Sequence, residues 1–183
     1  MKSHSIKIGV DKNQLVGKHG QSNRLKHSQM EREGALLVPL RIPFGDYILI
    51  TDTIQSYIDI FGAHDIHKSD LQNAIKLSID TKKSLQEVCG NVCSRQHERF
   101  KRELQKADGR LVLLIEEPDI TCLEDVWWWQ NPRAKFSPKA PTGRSLYKSL
   151  CTIRDEYKVD IRFCDRRETG KEIIKILGGI INA

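Results

Sequence analysis

Apolar residues along this chain follow two periods, and the boundaries between them outline its elements. Short apolar runs mark strands at residues 5–10 (SIKIGV, ending at Asp11), at Ala35–Pro39, and at Tyr47–Thr51, which is entered through Phe44-Gly45-Asp46. Further strands fall at Leu77–Lys82, Leu111–Ile115 and Val159–Cys164. The run LVLLI at 111–115 has no polar break, as expected of a strand buried on both faces. Helical spacing is clearest over Lys83–Ala107, where Leu85, Val88, Cys89, Val92, Cys93, Phe100, Leu104 and Ala107 share one face and Asp108-Gly109 stops the helix. Helices are also expected at Thr53–Phe61, after a cap at Ser69-Asp70, at Ser145–Lys158, and at Thr169–Leu177 with Thr169 as N-cap. Residues 12–29 are polar and basic and read as a loop running into a helix that ends near Glu33; 131–143, with three prolines, read as a mobile loop. Strands come first and then alternate with helices, which predicts an α/β fold with a central mixed sheet flanked by helices.

Composition narrows the class. The chain has 183 residues, 39% hydrophobic and 30% charged, so one ordinary folded domain is expected, carrying an insertion at about 52–74. It has neither an eighteen-residue apolar run nor a signal-peptide core near Met1, so no membrane partner is expected. The five cysteines form no CxxC pair and are expected to be reduced thiols in a cytosolic compartment. A net charge of +6 favours a polyanionic partner.

The sequence LSIDTKKSLQE at 77–87 carries the chemistry. In a strand, Asp80 and Lys82 project to one side. Asp46 starts the preceding strand, so pairing of the two strands brings Asp46 and Asp80 to one end of a hairpin. Two carboxylates there repel unless a cation lies between them, and Mg²⁺ (or Mn²⁺) suits such hard oxygen ligands. Lys82 beside the cation can orient an attacking water or neutralise phosphate charge. Gln96 interrupts the apolar stripe of the long helix, where it either faces Asp80 or bonds to backbone as a core amide. Arg95, His97 and Arg99 flank it within reach of phosphates, and Arg133, Lys135, Lys139 and Arg144 form either a phosphate clamp or a solvated loop.

The segments GDYIL (45–49), IDTKKSLQEV (79–88), RQHERFKREL (95–104) and LVLLIEE (111–117), in that order, resemble the ERCC4-type nuclease domain of XPF-like structure-specific endonucleases. That domain lies within the PD-(D/E)xK superfamily, and the compact form here is similar to members from phages and bacteria. The resemblance spans about residues 6–177. It implies a restriction-endonuclease-like fold and Mg²⁺-dependent cleavage of DNA. Asp46 and Asp80 would be metal ligands, Lys82 the catalytic lysine, and Gln96 the family glutamine, a catalytic group tethering the water or a metal ligand. Asp11 matches the first family aspartate and is a further candidate metal ligand, Gln14 replaces a family glutamate, and Glu87 keeps a late acid. Thr81 replaces an arginine and offers its backbone carbonyl as a ligand. The spacer between GDY and IDTK is longer than in the family, and no helix-hairpin-helix tandem follows to Ala183, so junction specificity does not carry over.

These readings lead to a metal-dependent DNA endonuclease, with branched, flap or single/double-strand junction substrates and a homodimer left open. The alternative is a catalytically weak or inactive DNA-binding or regulatory module of the same fold. A third class, a protein-interaction inhibitor, would use an exposed apolar patch, with Trp127-Trp128-Trp129 as first candidate. Three adjacent tryptophans cannot all face one core, so one is expected to be exposed.

Overall fold

A computed structural model describes residues 6–93 and 96–180, except for the side chains of 17–19. The chain forms two compact units, one of residues 1–80 with 167–183 and one of Thr81–Arg166.

In the first unit, strand β1 (Lys7–Asp11) pairs in parallel with β2 (Leu36–Leu40) and antiparallel with β3 (Tyr47–Leu49). β3 pairs antiparallel with β4 (Ser78–Lys82) in the register Tyr47↔Ile79. With β5 (Leu111–Glu116) and β6 (Asp160–Cys164), the full strand order is β2-β1-β3-β4-β5-β6, a mixed six-stranded sheet flanked by helices. Pro39, which has no amide hydrogen to donate, lies in β2 at the sheet edge. Ile8, Val10, Ile48 and Ile79 are fully buried along the three central strands of this unit.

Three helices join these strands. Helix α1 (Gly17–Arg32) is longer than the loop-then-helix reading suggested. Its inward face is polar: Asn23, Lys26 and Gln29 are buried with Met30. The Gln29 side chain accepts from the Gly170 amide at 2.9 Å and donates to the Arg167 carbonyl, so α1 satisfies the amide end of helix α7 (Thr169–Gly178). Glu168, and not Thr169, is the N-cap of α7; Thr169 is its first helical residue and is fully buried. Within 52–74 lie α2 (Asp52–Phe61), capped by Thr51, and α3 (Lys68–Ala74), which starts after His67, before the expected Ser69-Asp70 cap.

The second unit is built around β5 (Leu111–Glu116), buried at all six positions and paired in parallel with β6 (Asp160–Cys164). The single helix expected over 83–107 is two helices, α4 (Leu85–Val92) and α5 (His97–Ala107). Leu85, Val88, Cys89 and Val92 form the inner face of α4; Phe100, Leu104 and Ala107 form that of α5. Cys93, expected on that face, is exposed. Ser84 caps α4 by accepting from the Glu87 amide, while the Glu87 carboxylate accepts from the Lys83 amide at 2.8 Å. Asp108 ends α5 in the left-handed region (φ 50°), followed by Gly109 (φ 74°). Helix α6 (Gly143–Tyr157) begins at a Thr142 cap and completes the unit. Among the described residues no helix is long and apolar enough to cross a membrane.

One buried histidine ties stability to pH. His27 Nε2 lies 3.0 Å from the Tyr47 hydroxyl, with Lys26 beside it. Burial first, and the Lys26 charge second, lower its pKa from 6.5 to about 4. The unfolded chain therefore takes up this proton before the folded one. The contribution of neutral His27 is complete above about pH 6.5 and is lost as pH falls through about 4. On the order of 1–3 kcal/mol of stability is expected to disappear over that window. Urea denaturation at stepped pH checks this: His27→Gln should flatten the pH dependence between 6.5 and 4 relative to wild type.

Candidate active site

Strands β1, β3 and β4 bring three aspartates of the sequence reading to one end of the first unit. The Asp11 amide donates to the Asp46 carbonyl at 2.9 Å, and the Asp46 amide donates to the Ile79 carbonyl at 2.7 Å. One step beyond the Tyr47↔Ile79 pair, the same antiparallel register carries Asp46 and Asp80. Both are buried, Asp46 at 9% and Asp80 at 3% exposure. Carboxylates that have left water at neighbouring register positions repel unless a cation or a proton intervenes, so the end of β4 suits a divalent cation.

The three acids are held differently. Asp11 Oδ1 accepts from the Asn13 amide at 2.9 Å and Oδ2 from the Ile42 amide at 3.1 Å, so both of its oxygens organise adjacent loops. Asp46 Oδ1 accepts from Gln14 Nε2 at 2.6 Å. Gln14 is itself fixed by Asn23, whose side-chain amide donates to Gln14 Oε1 at 2.6 Å and to its backbone carbonyl at 3.3 Å. A relay Asn23→Gln14→Asp46 thus orients one carboxylate. The sequence reading noted Gln14 only as a missing acid and did not consider Asn23.

Gly45 makes this turn possible. Its φ is +71°, and a Cβ there would fall inside contact distance of Ser78 Oγ and lie 3.1 Å from the Ile79 carbonyl. Ser78 occupies that space in order to bond: its hydroxyl donates to the Phe44 carbonyl at 2.8 Å, with the Tyr47 carbonyl at 3.2 Å.

β4 continues with Thr81 and Lys82 into the second unit. There the Lys82 ammonium stands 5.6 Å from the centre of the Phe100 ring. Gln96 corrects an expectation. It is exposed and serves as the N-cap position of α5, because the helix breaks after Val92 and its register restarts. The geometric ground for a buried Gln96 facing Asp80 is therefore gone. Arg99 is exposed on α5, whereas His97 lines a cavity of about 190 Å³ beside Phe100, Ile153 and Tyr157, with its Nδ1 buried and accepting or donating no hydrogen bond. Arg95 lies outside the described residues. Arg133, Lys135 and Lys139 are exposed in the loop before α6. The guanidinium of Arg144 stacks over Trp127, 4.6 Å from its ring centre, and Trp127 meets Tyr147 edge-on at 5.5 Å. Glu116, the last residue of β5, is buried, with a side chain only 2% exposed and Arg166 Nε at 3.8 Å. Among the described residues, no three histidine, cysteine or acidic side chains converge as a preformed metal cluster.

A family model described as the ERCC4 domain matches residues 12–177. This chain belongs to the ERCC4 domain family. Its fold is similar to that of XPF from Aeropyrum pernix, with a TM-score of 0.58 and 14% identity over 96% of this chain and 65% of that one. A structure of XPF from Aeropyrum pernix in complex with DNA is similar at a TM-score of 0.58 and 15% identity, over 97% of this chain and 66% of that one. The ERCC4 domain described here therefore spans about two thirds of the length of these chains. No curated protein matches the sequence.

The ERCC4 domain's carboxylate pair depends on a glycine that has no chemistry of its own. Gly45→Ala is expected to destabilise the protein by roughly 2–4 kcal/mol, from left-handed strain plus the clash with Ser78. Ser78→Gly, which removes the clashing hydroxymethyl, should recover part of that loss in the double variant. Chemical denaturation of the two single variants and the double variant checks both.

Proposed function

We propose that this ERCC4 domain is a metal-dependent DNA endonuclease that hydrolyses phosphodiester bonds. The observation that carries the reading is the pair of buried carboxylates, Asp46 and Asp80, at neighbouring register positions of β3 and β4, with Lys82 two residues further along β4. Family membership and the fold it shares with XPF support it.

The donor set fits Mg²⁺ or Mn²⁺, which accept one or two carboxylates and keep waters, so a three-acid cluster is not required. In this reading Asp46 and Asp80 hold the cation, with the Thr81 carbonyl as a further oxygen. Asp11, both of whose oxygens are committed to backbone amides, shapes the loops instead of ligating. When bound, the cation supplies Lewis-acid polarisation of the phosphodiester and acidifies a water. Gln14 keeps Asp46 in one rotamer through the 2.6 Å bond. Lys82 orients the nucleophile and balances charge that builds on the phosphate. Exposed Arg99, Arg133, Lys135 and Lys139 hold backbone phosphates without reading sequence.

The alternative, a DNA-binding module with weak or no catalysis, draws on one observation. Gln14 donates an amide where the family glutamate would present a further acid. Cleavage assays separate the two readings. Labelled single-stranded, duplex, flap and branched DNA should be cut with Mg²⁺ or Mn²⁺, and chelation should stop it. Asp80→Asn and Lys82→Met should each lower the rate on the order of a hundredfold or more while DNA still binds. Gln14→Ala should weaken metal binding or activity about tenfold by releasing Asp46, a difference visible by titration calorimetry with the metal alone. DNA binding without metal-dependent cutting by the wild type would select the alternative.

A further inference from the structure

The charge of this protein is not spread evenly. Residues 127–153 contain Arg133, Lys135, Arg144, Lys139 and Lys148 and no aspartate or glutamate, so this one segment carries five of the chain's net six positive charges. Most of it lies in the turn that precedes α6. That turn is a closed loop. Asn131, itself buried, donates its side-chain amide to the Pro141 carbonyl at 2.8 Å and accepts from the Arg133 amide at 3.0 Å. Inside the neck, the Phe136 and Ser137 amides both bond the Arg133 carbonyl at 3.0 Å, and the Ala140 amide bonds that of Ser137 at 3.0 Å. Prolines at 132, 138 and 141 stiffen the backbone further.

Near the far end of this tied loop stands Phe136, 88% exposed and the most exposed of the large hydrophobic side chains described. Arg133, Lys135 and Lys139 flank it and are exposed as well. A rigid aromatic ring ringed by cations, with no carboxylate nearby in sequence, suits a partner that offers negative charge and flat apolar faces together. An unpaired nucleotide does so; a duplex interior hides its base faces and a basic or neutral protein surface lacks the charge. Trp128, also exposed at 76%, is a poorer candidate, since it borders a hollow with Glu117, Asp119 and Asp125.

We propose that the loop 131–141 is a single-stranded-DNA contact in which Phe136 stacks on an unpaired base while Arg133, Lys135 and Lys139 hold the flanking phosphates. The proposal deepens the nuclease reading by naming how unpaired DNA is engaged, and rests on that reading only for the consequence of binding.

The test measures binding in chelator, where nothing is cut. Fluorescence anisotropy of a labelled oligonucleotide, single-stranded or as a blunt duplex, compares the wild type with Phe136→Ala, Phe136→Trp and a triple Arg133→Gln, Lys135→Gln, Lys139→Gln variant. Phe136 is exposed, so its replacement leaves the fold intact. Phe136→Ala should weaken single-strand binding roughly tenfold and leave duplex binding within about twofold; Phe136→Trp should restore it. The triple variant should reduce the salt dependence of single-strand binding. A 2-aminopurine base in the single strand should lose its protein-induced fluorescence change with Phe136→Ala only. Unchanged single-strand affinity in Phe136→Ala, equal losses on single strand and duplex, or a change confined to self-association would each overturn the proposal. If wild-type cleavage is intact in that case, the nuclease reading survives. If nothing is cut yet Phe136-dependent single-strand binding is seen, the loop contact stands and the nuclease reading falls.

Discussion

Everything at the candidate active site depends on how the backbone of Asp46 is held. Its carbonyl accepts from Asp11 of β1 and its amide donates to Ile79 of β4, so one residue joins both neighbouring strands. The turn before it has a left-handed Gly45, and Ser78 fills the space that a side chain there would need while bonding the turn's own carbonyls. These bonds use backbone atoms and leave the Asp46 side chain open to direction by Gln14, which donates to its Oδ1 at 2.6 Å. A carboxylate set by three strands and an amide relay is preorganised before any ligand arrives, which is the condition under which an electrostatic site contributes most to catalysis.

The strands were legible in the sequence because their burial is apolar. LVLLI at 111–115 is buried throughout, and the two-residue alternation of β4 already placed Asp80 with Lys82 and, through pairing, with Asp46. Helix α1 was legible only in part, for a physical reason: the residues it buries are Asn23, Lys26 and Gln29, at helical spacing but polar, so apolar periodicity had little to register. Of their partners, Gln14 lies outside the helix and the start of α7 lies 141 residues from Gln29, so neither can be inferred from helical pattern.

The long helix failed for the opposite reason. Its apolar residues keep a common phase through 85–92 and again through 100–107, a pattern that predicts one unbroken helix. Extending the first phase puts Gln96 inside, where its amide would have to find new partners or cost free energy. The chain instead breaks, and Gln96 becomes an exposed N-cap. The polar residue in the stripe is the signal for the break, and it marks neither a core amide nor a group facing Asp80. Glu116 shows the same limit at a strand end: its place after an apolar run suggests solvent, while its side chain is buried with Arg166 beside it.

Charge and chemistry are therefore laid out on different scales. The acids that could hold a cation are few, buried and fixed by strand register, which makes them sensitive to a single backbone change. The cations between 127 and 153 are exposed and contributed by one continuous segment, and a solvated charge, which acts over a distance, does not depend on strand register. Within the same unit, Glu117, Asp119 and Asp125 gather around Trp128 and Trp129, while the cations of 133–148 have no acid among them in sequence. Segregation of this kind does little for stability, since exposed ion pairs contribute little, but it gives an approaching polyanion one attractive segment and one repellent hollow.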